Sequence, residues 1–239
     1  MGQAWMIHLR DLRFAYPDGR IAIDGLTLSV SAGESVGLIG PNGAGKTTLF
    51  LCLCGVLRTS PGSIHVAGLD PAIAAQRKQL PSHLGVVFQN SDDQLFSSTV
   101  GDDVAFGPLN MRLPADDVRM RVSESLERVG MSGQEERVPF RLSGGEKRRA
   151  AIAGVLAMRP DALLLDEPSM FLDPRGRREL IKLINSLPGT KLIASHDLKL
   201  VQETCNRVIL LDAGRLIADG SPSMMCDAGL MERHGLEAL

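Results

Sequence analysis

The segment GPNGAGKTT, residues 40–48, has the residue types and the spacing of a phosphate-binding loop, G-x-x-x-x-G-K-[ST]. Its three glycines allow the backbone to turn tightly enough for several N–H groups to converge on one phosphate. The helix that is expected to follow adds the positive end of its dipole. In this pattern Lys46 reaches the β- and γ-phosphates of a nucleotide and Thr47 holds Mg²⁺. The residues predicted to bind the nucleotide here are Gly40, Pro41, Asn42, Gly43, Ala44, Gly45, Lys46, Thr47 and Thr48.

The segment LLLDEP, residues 163–168, ends an apolar run with two adjacent carboxylates. We expect Asp166 to lie near the Mg²⁺ ion. Glu167 follows it along the predicted strand, so its side chain points to the other face, where it can address a water molecule as a general base. Such a pair taken alone could equally cap the next segment, but beside a phosphate loop it indicates hydrolysis chemistry.

The segment LSGGEKRRAAIAGVLA, residues 142–157, is a second candidate for binding an anion. Ser143 is a helix N-cap candidate, Gly144 and Gly145 expose backbone N–H groups, and a long helix follows. The chain therefore has two helix N-termini suited to phosphate but only one lysine-containing loop.

Strand-length and helix-length segments alternate along the chain and must position these motifs. Strands are predicted at residues 5–16, 26–39, 63–66, 84–88, 161–168 and 190–195, with a hairpin at 206–220 around Ala213-Gly214. Helices are predicted at residues 46–57, 115–130, 145–160 and 175–189, the second of them ending at Gly130. This alternation predicts an α/β fold with a largely parallel sheet and helices on both of its faces.

The composition argues against several other classes of protein. Hydrophobic residues make up 44% and charged residues 23% of the 239 residues, and the net charge is −2, so no basic excess suggests a nucleic-acid partner. The four cysteines lack metal-ligand spacing, which favours reduced thiols. The N-terminal segment carries Asp11 within an alternating pattern, unlike a signal peptide. No apolar run approaches the ~18 residues of a membrane span, so another chain would have to cross any membrane.

The phosphate loop, Gln89, LSGGE, LLLDEP and the segment SHD with His196, in this order and spacing, resemble an ABC-type ATPase cassette, from about residue 5 to 220. The resemblance implies ATP as substrate and Mg²⁺ as cofactor. It implies catalytic roles for Glu167, His196 and Gln89, Mg²⁺ contacts from Thr47, Gln89 and Asp166, and a signature segment of Ser143, Gly144, Gly145 and Glu146.

In such cassettes two copies pair head to tail, so the signature segment of one closes over the ATP of the other. That pairing would explain the second helix N-terminus and implies a homodimer or a dimer with a paralogue, in which Asp173 crosses the interface. Tyr16 would stack on adenine, although it could instead be a core aromatic of its strand. Phe171 stands where the family usually has glycine, so we expect the backbone there to avoid positive φ.

The same resemblance predicts how the chain divides. A single ABC ATPase domain, residues 1–239, would combine a phosphate-loop NTPase core of RecA-like type with two additions. The predicted parts are an antiparallel β part at residues 1–35, a nucleotide-binding core at 36–89 and 146–220, an inserted helical subdomain at 90–145 and a short C-terminal tail at 221–239.

The segment QNSDDQLFSSTVGDDVAFG, residues 89–107, places Leu95, Phe96, Val104 and Phe106 among acids and amides. Apolar anchors on a polar loop suit a docking surface, although the two phenylalanines could also pack the core of the helical insert. The slightly longer segment FQNSDDQLFSSTVGDDVAFGPLN, residues 88–110, resembles the ATPases of energy-coupling-factor importers, which energise uptake of transition-metal ions or vitamins.

This resemblance implies a peripheral ATPase at the cytoplasmic face of a membrane. Its partners would be a second cassette, a transmembrane coupling subunit and a substrate-binding membrane subunit. Cobalt or nickel is the expected solute, with a vitamin such as biotin as the alternative. A soluble ABC ATPase of DNA repair or chromosome structure is a second class of function; those proteins usually carry a long coiled coil or a zinc-bearing insert, and no sustained heptads occur here. A ribosome-associated factor is a third class, but such factors usually have two cassettes in one chain, and this sequence has one.

Overall fold

An antiparallel sheet of three strands, in the order β2–β1–β4, covers one side of the molecule in the computed structural model, which describes residues 5–239. Residues 1–4 of the predicted N-terminal part lie outside this range. Its strands are β1 (Trp5–Ala15), β2 (Ile21–Ser31) and β4 (Ile64–Val66). The side chains of Ile7 and Leu9 alternate into the core, and a bulge between Leu9 and Leu12 keeps Leu12 buried as well.

A second sheet of six strands, in the order β5–β6–β7–β3–β8–β9, forms the centre of the fold. Its strands are β3 (Ser35–Ile39), β5 (Leu84–Val87), β6 (Ala162–Asp166), β7 (Thr190–Ala194), β8 (Arg207–Asp212) and β9 (Arg215–Gly220). The first five pair in parallel, and β9 returns antiparallel beside β8. The α/β class and the mostly parallel sheet are as predicted, and the hairpin at 206–220 forms as expected.

Apolar runs form the parallel strands because both faces of this sheet are covered. In β6, Leu163 and Leu165 belong to one buried cluster, whereas Ala162 and Leu164 belong to the other. The cluster that contains Ala162 and Leu164 is shared with the antiparallel sheet. The cluster that contains Leu163 and Leu165 is shared with the inserted helices. Such a sheet fixes its strand ends rigidly, and the motif residues follow directly from those ends.

Eight α-helices surround the sheets within residues 5–239. They are α1 (Lys46–Leu53), α2 (Ala74–Arg77), α3 (Val100–Asn110), α4 (Ala115–Arg128), α5 (Gly144–Leu156), α6 (Pro174–Ser186), α7 (Leu198–Thr204) and α8 (Ala228–Arg233). Gly130 adopts a left-handed φ of 68° just beyond α4, as a C-terminal glycine should. No helix in this part of the chain is long and apolar enough to cross a membrane.

Two predicted elements have different bounds. The helix expected at 46–57 ends at Leu53 because Gly55 turns the chain with a φ of 70°. The strand expected at 26–39 is two strands, since a turn at Gly33, with a φ of 79°, separates β2 from β3 and sends them to different sheets.

The structure also crosses the sequence-based boundaries between parts. β4 follows the phosphate loop in sequence yet pairs with β1, so the antiparallel sheet is not confined to residues 1–35. α5 begins at Gly144 and packs against α3 and α4, so the helical part continues past residue 145. The predicted C-terminal tail, residues 221–239, packs on the core, since Met225 and Met231 are fully buried.

Candidate active site

A cavity of about 570 Å³ opens where β3, β5, β6 and β7 end. This volume is in the range of small-ligand sites, and the carboxyl ends of parallel strands are where such folds bind ligands. Its lining includes Tyr16, Arg20, residues 40–48, Gln89, Asp166, Glu167, Met170, His196, Gly235 and Leu236. Four separate sequence motifs therefore meet in one cavity.

The phosphate loop joins β3 to α1 and needs glycine for steric reasons. Gly45 has a φ of 105°, and a Cβ there would lie 2.4 Å from the carbonyl oxygen of Ala22. Gly40 is equally restricted, because its Cβ would lie 2.1 Å from the carbonyl oxygen of Leu211. The loop is thus wedged between β2 and the end of β8, and any side chain at either position would displace it.

Lys46 is folded back over its own loop. Its Nζ donates hydrogen bonds to the carbonyl oxygens of Gly40 at 2.6 Å and Pro41 at 3.1 Å. Burial lowers the pKa of Lys46, and the nearby carboxylates of Glu167 and Asp166 oppose that shift. A charged ammonium held only by neutral carbonyls in a buried place has more to gain from an anionic partner, such as a phosphate.

Thr47 and Asp166 form the candidate metal site. The Thr47 hydroxyl donates to Asp166 Oδ2 at 2.8 Å, and the other carboxylate oxygen, Oδ1, is buried without a hydrogen-bond partner among the described residues. Burial raises the pKa of Asp166, against the lowering effect of the Thr47 hydrogen bond. A hydroxyl beside an unsatisfied carboxylate is a hard oxygen donor set, which fits Mg²⁺. Gln89 lines the same cavity, where its amide donates to Met170 Sδ at 2.8 Å.

Glu167 is held by the end of β7. Its Oε2 accepts hydrogen bonds from the Ser195 hydroxyl and from the backbone N–H of His196, both at 3.2 Å, and lies 2.8 Å from His196 Nδ1. Glu167 is buried, whereas the His196 side chain is 64% exposed at the mouth of the cavity. Ser195 was missed by the sequence reasoning, although it stands beside His196 in the SHD segment and its strand ends here.

The prediction that Glu167 points from the opposite face of a strand is wrong. β6 ends at Asp166, and Glu167 has a left-handed φ of 45° while its N–H still donates to Ala194. This conformation costs a non-glycine residue about 1–2 kcal/mol. It turns the glutamate side chain into the same cavity as Asp166, which a continued strand would not do.

Tyr16 lies half-buried at the rim of the cavity and not in the core. Its hydroxyl is 3.0 Å from Thr48 Oγ1, and Phe14 packs edge-on against its ring at 5.1 Å. The guanidinium carbon of Arg20 lies 4.7 Å from the centre of the Tyr16 ring, a cation–π contact that the sequence reasoning did not anticipate. An aromatic ring at the cavity rim is well placed to stack on a planar base.

The signature residues lie outside this cavity. Ser143, Gly144, Gly145 and Glu146 line a separate hollow of about 360 Å³ that also contains Asp173. Ser143 caps α5 in a capping box with Glu146, as the sequence suggests for Ser143. The nearest atoms to an added Cβ on Gly144 and Gly145 are 4.0 and 3.7 Å away, so the backbone at this helix end is open to a ligand.

The ion pair between Glu146 and Arg137 makes the stability of the fold at this helix end depend on pH. Arg137, together with Ser143, lowers the pKa of Glu146 from 4.5 to about 2. Because the folded-state pKa is lowered, the ionised glutamate stabilises the fold above about pH 4.5, and the contribution is lost as the pH falls toward 2.

Glu146→Gln is therefore expected to lower the free energy of unfolding by about 1 kcal/mol at pH 7, since glutamine keeps the capping box but loses the charge. Urea denaturation at pH 7, 4 and 3 should show that the difference in unfolding free energy between the native protein and Glu146→Gln becomes smaller as the pH falls. The exposed Glu127→Gln is the control and should leave the free energy of unfolding at pH 7 nearly unchanged. An equal deficit at all three pH values would contradict the stabilising role of the ionised form.

Asp173 and Phe171 occupy the loop that follows Glu167. Asp173 Oδ1 accepts from the N–H of Gly176 at 2.6 Å and caps α6, so one of its oxygens is engaged within the chain. The expectation for Phe171 is wrong, because its φ is 64° although it is not glycine. The turn from Ser169 to Leu172 and the cap at Asp173 fix the backbone on both sides, and the ring avoids a clash by projecting into solvent, 82% exposed.

Comparisons with known proteins agree with this geometry. The profile of the ABC transporter family matches residues 23–170. The chain is 48% identical over 241 residues to the energy-coupling factor transporter ATP-binding protein EcfA of Methanothermobacter thermautotrophicus, covering 97% of this chain and 76% of that protein.

Two solved structures are also similar to this chain. CbiO1 of Clostridium perfringens, described as part of the ABC transporter complex cbiONQ, superposes with a TM-score of 0.84 at 37% identity, covering 96% of this chain and 94% of that one. The ATP-binding cassette MJ0796, a dimeric structure bound to ADP and Pi, has a TM-score of 0.81 at 24% identity over 91% of this chain and 99% of that one, which shows a shared fold.

Proposed function

This chain belongs to the ABC transporter family as an ATP-hydrolysing subunit of the energy-coupling factor type, and from that premise we propose that it powers uptake of a transition-metal ion, cobalt or nickel. The observation that carries the catalytic part is the meeting of Lys46, Thr47, Asp166 and Glu167 in one cavity. The importer class is also supported by the resemblance of residues 88–110 to energy-coupling-factor ATPases, which energise uptake of transition-metal ions or vitamins, and a vitamin is the alternative solute.

ATP binding begins with an exchange of partners at Lys46. Its Nζ leaves the carbonyls of Gly40 and Pro41 and donates to the β- and γ-phosphates, while the loop N–H groups and the N-terminus of α1 face the same anion. Tyr16 provides a stacking face for the base at the cavity rim. Mg²⁺, when bound by Thr47, Asp166 and Gln89, supplies charge neutralisation for the phosphate oxygens.

Hydrolysis is assigned to Glu167 because its position is fixed. Ser195 and the His196 backbone hold one carboxylate oxygen, which leaves Oε1 to orient a water molecule and accept its proton. His196 stands exposed beside it and is placed to donate to the γ-phosphate. Burial of Glu167 excludes competing solvent from the carboxylate.

A second cassette completes the site in this proposal. The signature residues face their own hollow, so α5 of the same chain does not reach the nucleotide cavity. The open backbone at Gly144 and Gly145 would serve the γ-phosphate held by a partner copy, with Asp173 at the shared interface. Two composite sites would then close together when ATP binds.

A docking surface for the transmembrane subunit is proposed at the groove beside α3. Phe96 and Phe106 are 64% and 50% exposed and pack edge-to-face with ring centres 4.9 Å apart. They border a groove of about 620 Å³ with an apolar floor that includes Ala151 and Val155. Val104, by contrast, is fully buried in the core, and Leu95 is half-buried and packs against the core. These two residues therefore lie beneath the two exposed phenylalanines.

The position of this groove suggests how the two activities are coupled. It lies between the residues that follow Gln89 and the α3–α5 pair, so it connects the nucleotide cavity with the helix that carries the signature residues. An apolar segment of a membrane subunit seated there would place the cassette at the cytoplasmic face of the membrane. Domain closure on ATP would then move that segment.

Replacing both Phe96 and Phe106 by serine tests the docking surface. The double variant is expected to retain the ATPase activity of the isolated protein but to lose most co-purification with its membrane subunits, since exposed aromatic anchors dominate such interfaces. Val56→Ser is a matched control, because Val56 is 63% exposed elsewhere on the surface. Equal recovery of membrane subunits with both variants would remove this groove from the proposal.

A further inference from the structure

The C-terminal residues reach the nucleotide cavity. Asp227 caps α8 by accepting from the N–H of Leu230 at 3.0 Å, and Met231 of that helix is fully buried in the main core. Gly235 and Leu236, just beyond α8, line the same cavity as the phosphate loop. Sequence patterns gave no reason to place these residues there.

A Schellman motif directs the chain to that position. The N–H of Leu236 donates to the carbonyl of Met231 at 2.9 Å, and the N–H of Gly235 donates to that of Glu232 at 3.1 Å. Gly235 has the left-handed φ of 68° that the motif requires. A defined helix terminus, and not a frayed end, therefore sets the position of Leu236.

The C-terminal segment is anchored to the end of β8 and lies beside the phosphate loop. His234 Nδ1 lies 2.8 Å from Asp212 Oδ2, at the end of β8, and the neighbouring carbonyl of Leu211 abuts Gly40. On the other side, a Cβ on Gly235 would lie 4.0 Å from Cβ of Pro41. The Gly40–Pro41 turn is thus enclosed between the end of β8 and the C-terminal segment.

The enclosed turn is the part of the loop that Lys46 holds before nucleotide binds. When Lys46 transfers to the phosphates, both carbonyls lose their hydrogen bond from Nζ. The carbonyl of Pro41 keeps the hydrogen bond from the N–H of Ala44 at 3.1 Å, so packing has to hold the Gly40 side of the turn. We propose that residues 234–236, the C-terminal brace, position the phosphate loop for nucleotide and that Leu236 forms an apolar wall of the site. This inference rests on the proposed function of the cavity.

Two leucines of the same segment provide a matched test. Leu230 and Leu236 are both half-buried against the main core, but only Leu236 lines the cavity. Leu236→Ala should weaken binding of ADP and of a non-hydrolysable ATP analogue about fivefold, the effect of losing one apolar contact. Leu230→Ala should bind both nucleotides within about twofold of the native protein while losing similar thermal stability without nucleotide.

Calorimetry on the full chain gives the dissociation constants, and steady-state kinetics should show a raised KM with an almost unchanged kcat for Leu236→Ala. His234→Ala is the second variant and should weaken binding in the same way, whereas His234→Gln, which can still donate to Asp212, should restore it. Rescue by glutamine is a result that a general loss of stability would not produce.

Equal nucleotide affinity in the native protein, Leu236→Ala and His234→Ala would overturn the brace and leave the proposed function intact. Equal weakening by Leu230→Ala and Leu236→Ala would also overturn it, since the effect would then follow stability alone. Failure of the native protein to bind ATP would overturn the proposed function itself.

Discussion

Glu167→Gln is expected to bind ATP with nearly native affinity and to hydrolyse it about a hundredfold or more slowly, as is typical when a general base is removed. Glutamine has the same size, and its amide oxygen can still accept hydrogen bonds from Ser195 and from the His196 backbone. It cannot take a proton from water. The glutamine side chain would therefore remain in place but could not act as a general base. The rate of phosphate release under saturating ATP and Mg²⁺ measures the loss of turnover.

The matched control for that variant is Glu124→Gln. Glu124 is a half-exposed glutamate that pairs with Arg159 on the helical part of the molecule, remote in sequence from the cavity residues. Its replacement should leave turnover unchanged. Native turnover in Glu167→Gln would show that Glu167 is not the catalytic carboxylate.

The same variant separates catalysis from dimerisation. Because ATP would persist in the site, Glu167→Gln should accumulate as a dimer with ATP and Mg²⁺, measured by light scattering. If it lost turnover but stayed monomeric beside its membrane subunits, the catalytic role would stand and the shared site would not. The separate hollow of Ser143 and Gly144 would then need another ligand.

The meeting of the motifs could be predicted from sequence because parallel strands bring their carboxyl ends to one edge of a sheet. The phosphate loop, Asp166 and His196 each follow an apolar run of strand length, so their proximity follows from the fold class. The same reasoning placed Glu167 near Asp166 but predicted an extended backbone conformation for it, which is wrong. A pattern of residue types cannot show at which residue a strand ends.

Contacts set by tertiary packing were not predictable in this way. Ser195 is one polar residue among many until β6 and β7 are seen to pair, and Arg20 joins the site only because the turn after β1 returns over Tyr16. The left-handed Phe171 contradicts local preference, since caps and turns on both sides determine it. The C-terminal brace depends on contacts between residues that are more than twenty positions apart, such as His234 and Asp212.

Among the binding residues, Lys46 is expected to have the largest effect. In the structure its ammonium already has two neutral acceptors, so binding ATP gains only the difference between those bonds and bonds to charged phosphate oxygens. Charge-assisted hydrogen bonds are roughly twice as strong as neutral ones, which leaves a gain of about 1–1.5 kcal/mol for each of two bonds. Lys46→Ala should therefore weaken ATP about 30- to 150-fold by calorimetry.

The loss of the positive charge of Lys46 is also expected to weaken ATP binding. Without Lys46 the carboxylates of Asp166 and Glu167 face the incoming phosphates with less compensating charge, so the upper end of that range is expected at low Mg²⁺ concentration. Lys182→Ala, which removes an exposed lysine of α6, should bind ATP normally and controls for net charge. If Lys46→Ala bound ATP as tightly as Lys182→Ala, the buried ammonium would serve only to tie down its own loop, and the triphosphate would have to bind elsewhere.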